Sequence, residues 1–219
     1  MDDLMKDFFG EWMSVVDKPK LNYALNTLRK ETRPYSPNPQ NIFKAFNSCA
    51  YHNLRCVFLG QDPYPQEGVA TGVAFANSLE MNGISPSLKV LLESARKYYN
   101  DIPYGFGELD KTLSIWQEQG VLLLNSALTV VNNRPGSHMF IWRPFVSSLL
   151  NNIAVSKPNV IFVLFGDAAK SLKEFIGNSS YIETIHPSFC SRNNILLPDI
   201  FKQIDDIMVS RGEIPIYWL

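Results

Sequence analysis

The chain has 219 residues, 46% of them apolar, with 20 Lys and Arg against 21 Asp and Glu. A net charge of −1 argues against a protein that coats nucleic acid, while leaving room for a local basic groove. Cys49, Cys56 and Cys190 form no CxxC pair, which speaks against a zinc or iron–sulfur centre and for a reducing compartment; no apolar run reaches the roughly 18 residues of a membrane span.

Taken in chain order, the acidic, aromatic start "MDDLMKDFFGEWMSVV" is unlike a signal peptide and has helical spacing over 2–16. A cytoplasmic protein is expected. A second helix is predicted over 20–31, a proline-rich loop over 33–40 and a short helix over 41–47. Four apolar runs, 55–60, 121–126, 159–166 and 181–186, read as buried parallel strands. Helices fit between and after them at 86–99, 109–119, 142–155, 168–176 and 199–211. This alternation predicts a single α/β domain, 1–219, with a central, mostly parallel four-stranded sheet and helices on both faces.

Each apolar run ends in polar residues: Gln61 and Asp62, then Asn125, then Gly166 and Asp167, then His186. Open parallel sheets bind ligands outside the C-terminal ends of their strands, so these groups are expected at one edge. The chain has no GxGxxG or GxxxxGK[ST] phosphate cradle and no GxSxG nucleophile. An Asn amide presents a donor beside an acceptor, matching the N3–H and O4 edge of a pyrimidine such as uracil, and a fixed orientation rejects cytosine. Phe75 suits stacking on a base, Tyr64 suits the space beside C5, a carboxylate suits an oxocarbenium-like sugar and a histidine donor suits a departing base. Together these parts describe a pocket that cleaves the N-glycosidic bond of a flipped pyrimidine.

The motifs "GQDPY", "GVAF", "QGVLLLNSALTV", "SH…W" and "HPS", in order between Tyr35 and Trp218, resemble those of the family 1 uracil-DNA glycosylases. The resemblance implies a monofunctional repair enzyme that leaves an abasic site. Asp62 would orient water and stabilise the sugar cation, and His186 would stabilise the uracil anion. Asn125 would read the uracil edge, Phe75 would stack, Tyr64 would block the thymine methyl group, and the Gln61 backbone N–H would contact a uracil oxygen. The loops Ser85–Pro86–Ser87, Gly166–Asp167 and Ser188–Phe189–Cys190–Ser191–Arg192 would grip DNA. Partners implied are uracil-containing DNA, single- or double-stranded, and a protein inhibitor that mimics DNA; no metal, cofactor or membrane is implied, and a monomer is expected. The alternative is a catalytically weak glycosylase-fold module that binds DNA or protein.

The chain departs from the family pattern at several places. The family usually continues "GQDPYHGPGQAHG", whereas this chain has Pro65, Val69 and Thr71 where that pattern has His, Gln and His. Asp167 stands where a serine is common, where it would repel phosphate unless Lys170 pairs with it. In "HPSFCS", Cys190 takes the position of the leucine that wedges into DNA, with Phe189 beside it as the other candidate. His138 is read as either a surface phosphate contact or a structural residue, and Lys170, Lys173 and Arg192 as candidates to flank a DNA track.

Overall fold

The computed structural model describes residues 8–99 and 110–219. Four five- or four-residue strands form the central sheet: β2 (Cys56–Gly60), β3 (Val121–Asn125), β5 (Ile161–Phe165) and β6 (Tyr181–Thr184), all parallel in the order β3-β2-β5-β6. A separate two-residue antiparallel ladder joins β1 (Tyr35–Ser36) to β4 (Val130–Val131). The helices are α1 (Lys18–Leu28), α2 (Lys44–Ser48), α3 (Pro86–Tyr98), α4 (Ser114–Glu118), α5 (Met139–Ser156), α6 (Gly166–Lys170), α7 (Pro187–Arg192) and α8 (Ile200–Ser210).

The strands are apolar throughout because both faces are covered. Val57, Leu59, Leu122, Leu124, Phe162 and Leu164 belong to one core with Trp142, Phe145, Leu149 and Ile153 of α5. Phe58, Leu123, Val163 and Phe165 belong to the other, with Leu88, Leu91 and Ala95 of α3 and Ile200, Phe201, Ile204 and Met208 of α8. The helical residues recur at three- and four-residue spacing, the period that sets one face of a helix against a sheet. Fully burying one such side chain stabilises the fold by roughly 1.5–3 kcal/mol.

The C-terminal segment closes the second core. Trp218 stacks on Phe58 with ring centres 5.7 Å apart, and its indole N–H donates to Asp205. Arg55 donates to the Ile214 carbonyl of the same segment.

The expected sheet is present, and several boundaries differ for local reasons. Residues 2–7 of the expected helix 2–16 lie outside the described residues; Gly10–Ser14, which starts at Gly10 with φ +49°, is a 3₁₀ turn. The expected helix 109–119 is cut to Ser114–Glu118. The Asp110 carboxylate accepts from Thr112 and Ser114, and Leu113 sits at φ +57°, which no helix tolerates; residue 109 lies outside the described residues. The expected helix 168–176 divides into α6 and a 3₁₀ turn at Lys173–Phe175. The proline-rich loop contains β1 and a 3₁₀ turn at Pro39–Asn41, and α7 was not expected at all. Among the described residues no helix is long and apolar enough to cross a membrane.

Candidate active site

Strand β2 is flanked by β3 on one side and β5 on the other, so the chain reverses its direction of winding between β2 and β5. Ligands in open α/β sheets bind at such a switch point, beyond the strands' C-terminal ends. A cleft of about 1050 Å³ lies there, lined by Gln61, Asp62, Tyr64, Phe75, Asn125 and His186 among others. The four predicted polar strand ends therefore do meet at one edge.

Asp62 leaves β2 on a fixed path. The Gly60 carbonyl accepts from the Ser126 backbone N–H at 3.0 Å and its hydroxyl at 2.8 Å, and the Gln61 carbonyl accepts from Ala127 N–H at 2.9 Å. These bonds bring the β2 and β3 exits side by side. Half-buried Asp62 accepts from Gln61 Nε2 at one oxygen and from the Gly136 N–H at the other. Burial pushes its carboxyl above the usual carboxylate range, and the two donors pull against that shift.

Asn125 is paired in register with Gly60 across β3 and β2. A Cβ on Gly60 would lie 2.5 Å from Asn125 Oδ1 and 3.1 Å from the Phe75 ring, so the glycine makes room for both. Among the described residues no group hydrogen-bonds the Asn125 carboxamide, leaving its donor and acceptor for a ligand.

Phe75 adopts φ +67°, a costly conformation for a bulky side chain. The structure holds it there from two sides. The Tyr64 hydroxyl donates to its carbonyl at 2.8 Å, and its ring meets Phe165 edge-on at 5.0 Å between centres. The His186 ring lies 5.9 Å from it. Burial pushes the Tyr64 phenol up to about 12, so Tyr64 stays neutral and able to donate.

His186 precedes α7. Its Nδ1 accepts from the Ser188 N–H at 3.1 Å and lies 2.8 Å from Ser188 Oγ. That leaves the ring proton on Nε2. Burial, reinforced by the positive charge of Arg192, lowers its pKa to about 4, so the ring is neutral at pH 7. Gly166, at φ +77°, allows the close approach: a Cβ there would stand 3.0 Å from His186 Cβ.

The rim departs from several expectations. Cys190 is 0% exposed inside the second core, so its side chain cannot enter a DNA stack. Phe189, one residue earlier, is 47% exposed at the cleft mouth. Asp167 is exposed and makes no ion pair with Lys170 among the described residues; Lys170 and Arg192 both line the cleft. Lys173 is turned away, paired with Glu183 at 3.0 Å and lying over the Tyr181 ring. His138 is 0% exposed, which excludes the surface phosphate contact.

Ser85 and Ser87 line the cleft but are buried, as the first turn of α3 packs inward from Pro86. The Ser85 hydroxyl and N–H are both given to Asn77 Oδ1 at 2.7 Å. Ser188 and Ser191 line the same cleft as Gly166 and Asp167. Thr71 turns inward to the Val73 backbone, and the Pro65 carbonyl accepts from Asn133 N–H at 2.9 Å. Val69 lines the cleft. Sequence reasoning missed Gly136 as a partner of Asp62, because a backbone donor 74 positions away leaves no side-chain signal. Among the described residues no cluster of three His, Cys, Asp or Glu side chains could hold a metal ion.

The family model of the uracil DNA glycosylase superfamily matches residues 46–205. The uracil-DNA glycosylase of Borrelia turicatae is 34% identical over 198 residues, covering 89% of this chain and 86% of that protein. That of Campylobacter lari is 33% identical over 220 residues, covering 99% and 90%. A crystal structure of a mimivirus UNG variant in complex with UGI superposes with a TM-score of 0.77 at 26% identity, covering 97% of this chain and 86% of that one. Residues of "GQDPY", "GVAF", "LLLN" and "HPS" thus line one cleft of a matching fold, and the chain belongs to the uracil DNA glycosylase superfamily.

Proposed function

We propose that the protein excises uracil from DNA by hydrolysing its N-glycosidic bond, leaving an abasic site. The observation that carries this reading is the convergence of Asp62, Phe75, Asn125 and His186 on one cleft, in a chain of this superfamily. A uracil flipped into the cleft stacks on Phe75 and presents its N3–H and O4 edge to the unpaired Asn125 carboxamide. The Gln61 backbone N–H is the further contact to a uracil oxygen. Tyr64, locked by its bond to the Phe75 carbonyl, is the wall against a C5 methyl group.

The bond from C1′ to N1 breaks with its electron pair passing to the base. Negative charge gathers on the uracil ring, and neutral His186 donates its Nε2–H to O2. A neutral donor suits this step because it stabilises the anion without having to surrender a proton to it. The sugar acquires cationic character opposite the Asp62 carboxylate. Water adds to C1′, and Asp62 orients it and takes its proton.

At the rim, Ser87, Ser188 and Ser191 with Gly166 are the proposed backbone grips, and Lys170 and Arg192 supply positive charge. Phe189 is the proposed wedge. The bare Asp167 carboxylate opposes a nearby phosphate, which favours weaker backbone contacts on that loop. The mimivirus complexes with UGI support a protein inhibitor as a second partner for this rim.

The test is cleavage of end-labelled oligonucleotides carrying one uracil, thymine or cytosine, with alkali to reveal abasic sites and Asp62→Ala in parallel. Uracil-only cleavage that the variant loses supports the proposal. No cleavage of single- or double-stranded substrate by folded protein refutes it.

A further inference from the structure

The loop that carries Gly136 connects β4 to α5, and its far end is fastened by a fully buried histidine. His138 Nε2 lies 3.2 Å from Glu31 Oε2, and its Nδ1 lies 2.8 Å from Thr129 Oγ1. A carboxylate only accepts, so Nε2 carries a proton. Burial lowers the pKa of His138 against the opposing pull of Glu31, so the ring is neutral and Nδ1 must accept. The Thr129 hydroxyl is therefore the donor to Nδ1, while its oxygen accepts the Trp142 indole N–H at 2.7 Å. Each polar atom of the ring has one assigned partner.

Glu31 is itself clamped. Arg33 donates to it from Nε at 2.9 Å, from a terminal guanidinium nitrogen at 2.7 Å and from its backbone N–H at 2.9 Å. The Tyr35 ring meets the His138 ring at 6.0 Å. Among the described residues, Glu31 and Arg33 are the charged groups that act on His138.

The loop transmits this anchor to the cleft. The Gly136 carbonyl accepts from Met139 N–H at 3.2 Å, at the first turn of α5, and Ser137 Oγ accepts from Val131 N–H at 2.8 Å. Gly136 is thus held at its carbonyl from the His138 side, and its N–H points at Asp62. Asp62 has two hydrogen-bond donors, this N–H and the Gln61 amide, and no ion-pair partner among the described residues.

We propose that His138, fixed between Thr129 and the Glu31–Arg33 pair, is a positioning residue that aims the Gly136 N–H at Asp62 and keeps that carboxylate oriented and ionised. This rests on the reading of Asp62 as the catalytic carboxylate. His138 touches no substrate; it acts two residues away, through the backbone of Ser137 and Gly136.

The test is the pH profile of single-turnover uracil release by wild type, His138→Phe, Gly136→Ala and Asp62→Ala. His138→Phe keeps a ring in the core and removes both hydrogen bonds. Gly136→Ala leaves the histidine untouched but strains a residue at φ +79°, and its new Cβ meets nothing within 4 Å. Losing the N–H leaves the burial of Asp62 less opposed, so the acid limb of the profile moves to higher pH in both variants. The plateau rate falls on the order of tenfold to a hundredfold, as expected for a misplaced catalytic group. If both variants fold and lose rate with the acid limb unmoved, the role is structural only and the proposal fails. If His138→Phe does not fold, Glu31→Ala, which strips the carboxylate from His138 Nε2, takes its place with the same shift expected. A wild type that releases no uracil, or an Asp62→Ala variant at full rate, overturns the underlying assignment instead.

Discussion

Replacing Gly60 by alanine is a sharp perturbation of the proposed pocket, because one methyl group enters it without touching a proposed catalytic side chain. The glycine's φ is not left-handed, so the backbone accepts alanine. The added Cβ would meet Asn125 Oδ1 at 2.5 Å, where ordinary contact begins near 3.4 Å. The Phe75 ring, 3.1 Å away, packs edge-on against Phe165 on a backbone held by Tyr64 and yields little. The carboxamide must therefore retreat by roughly 1 Å, a displacement that costs about 10²-fold in rate. Overpacking of this kind costs the fold about 1–3 kcal/mol, so the variant should remain folded. The assay is kcat/KM on a uracil oligonucleotide, beside a thermal melt. A folded Gly60→Ala with kcat/KM within twofold of wild type would refute the assignment of Asn125 as the uracil reader.

The rim makes a paired prediction. Phe189→Ala should lower excision from duplex on the order of tenfold and spare single strands, whereas Cys190→Ser should leave excision per folded molecule unchanged and cost about 1–3 kcal/mol of stability for its buried hydroxyl; the opposite pattern would identify Cys190 as the wedge. His186 predicts a pH effect on stability. Its folded pKa of about 4 lies below the unfolded value near 6.5, so its contribution is complete above 6.5 and is lost as pH falls toward 4. The loss is on the order of 3 kcal/mol, read as the difference between wild-type and His186→Gln urea midpoints at pH 7 and pH 4.5; parallel loss in both proteins contradicts it. Asp205→Ala should free the C-terminal segment, since the carboxylate accepts from Ile216 N–H and the Trp218 indole. A cost of about 1–3 kcal/mol is expected in urea melts followed by tryptophan fluorescence, and an unchanged midpoint would remove Asp205 from that role.

The sheet was legible because its strands are buried on both faces and read as continuous apolar runs such as "VLLLN". The polar residues that end each run then marked the cleft. Helix boundaries were less legible where a short-range side-chain bond overrides periodicity, as Asp110 does before α4. The fate of Cys190 was hidden because α7 is a six-residue helix whose start depends on His186 acting as a cap, an unusual residue for that position. That helix turns Cys190 inward and Phe189 outward. His138 was ambiguous because only the fold brings Glu31 and Thr129 to its two nitrogens. The strained Phe75 backbone was also invisible, since it depends on a phenol 11 residues away.

The most direct measurement is a crystal structure of the protein soaked with free uracil. The base is expected stacked on Phe75, its N3–H and O4 edge on the Asn125 carboxamide and its O2 within hydrogen-bond reach of His186 Nε2, with a parallel thymine soak leaving the cleft unchanged. Uracil bound elsewhere, or thymine bound in the same place, would contradict it.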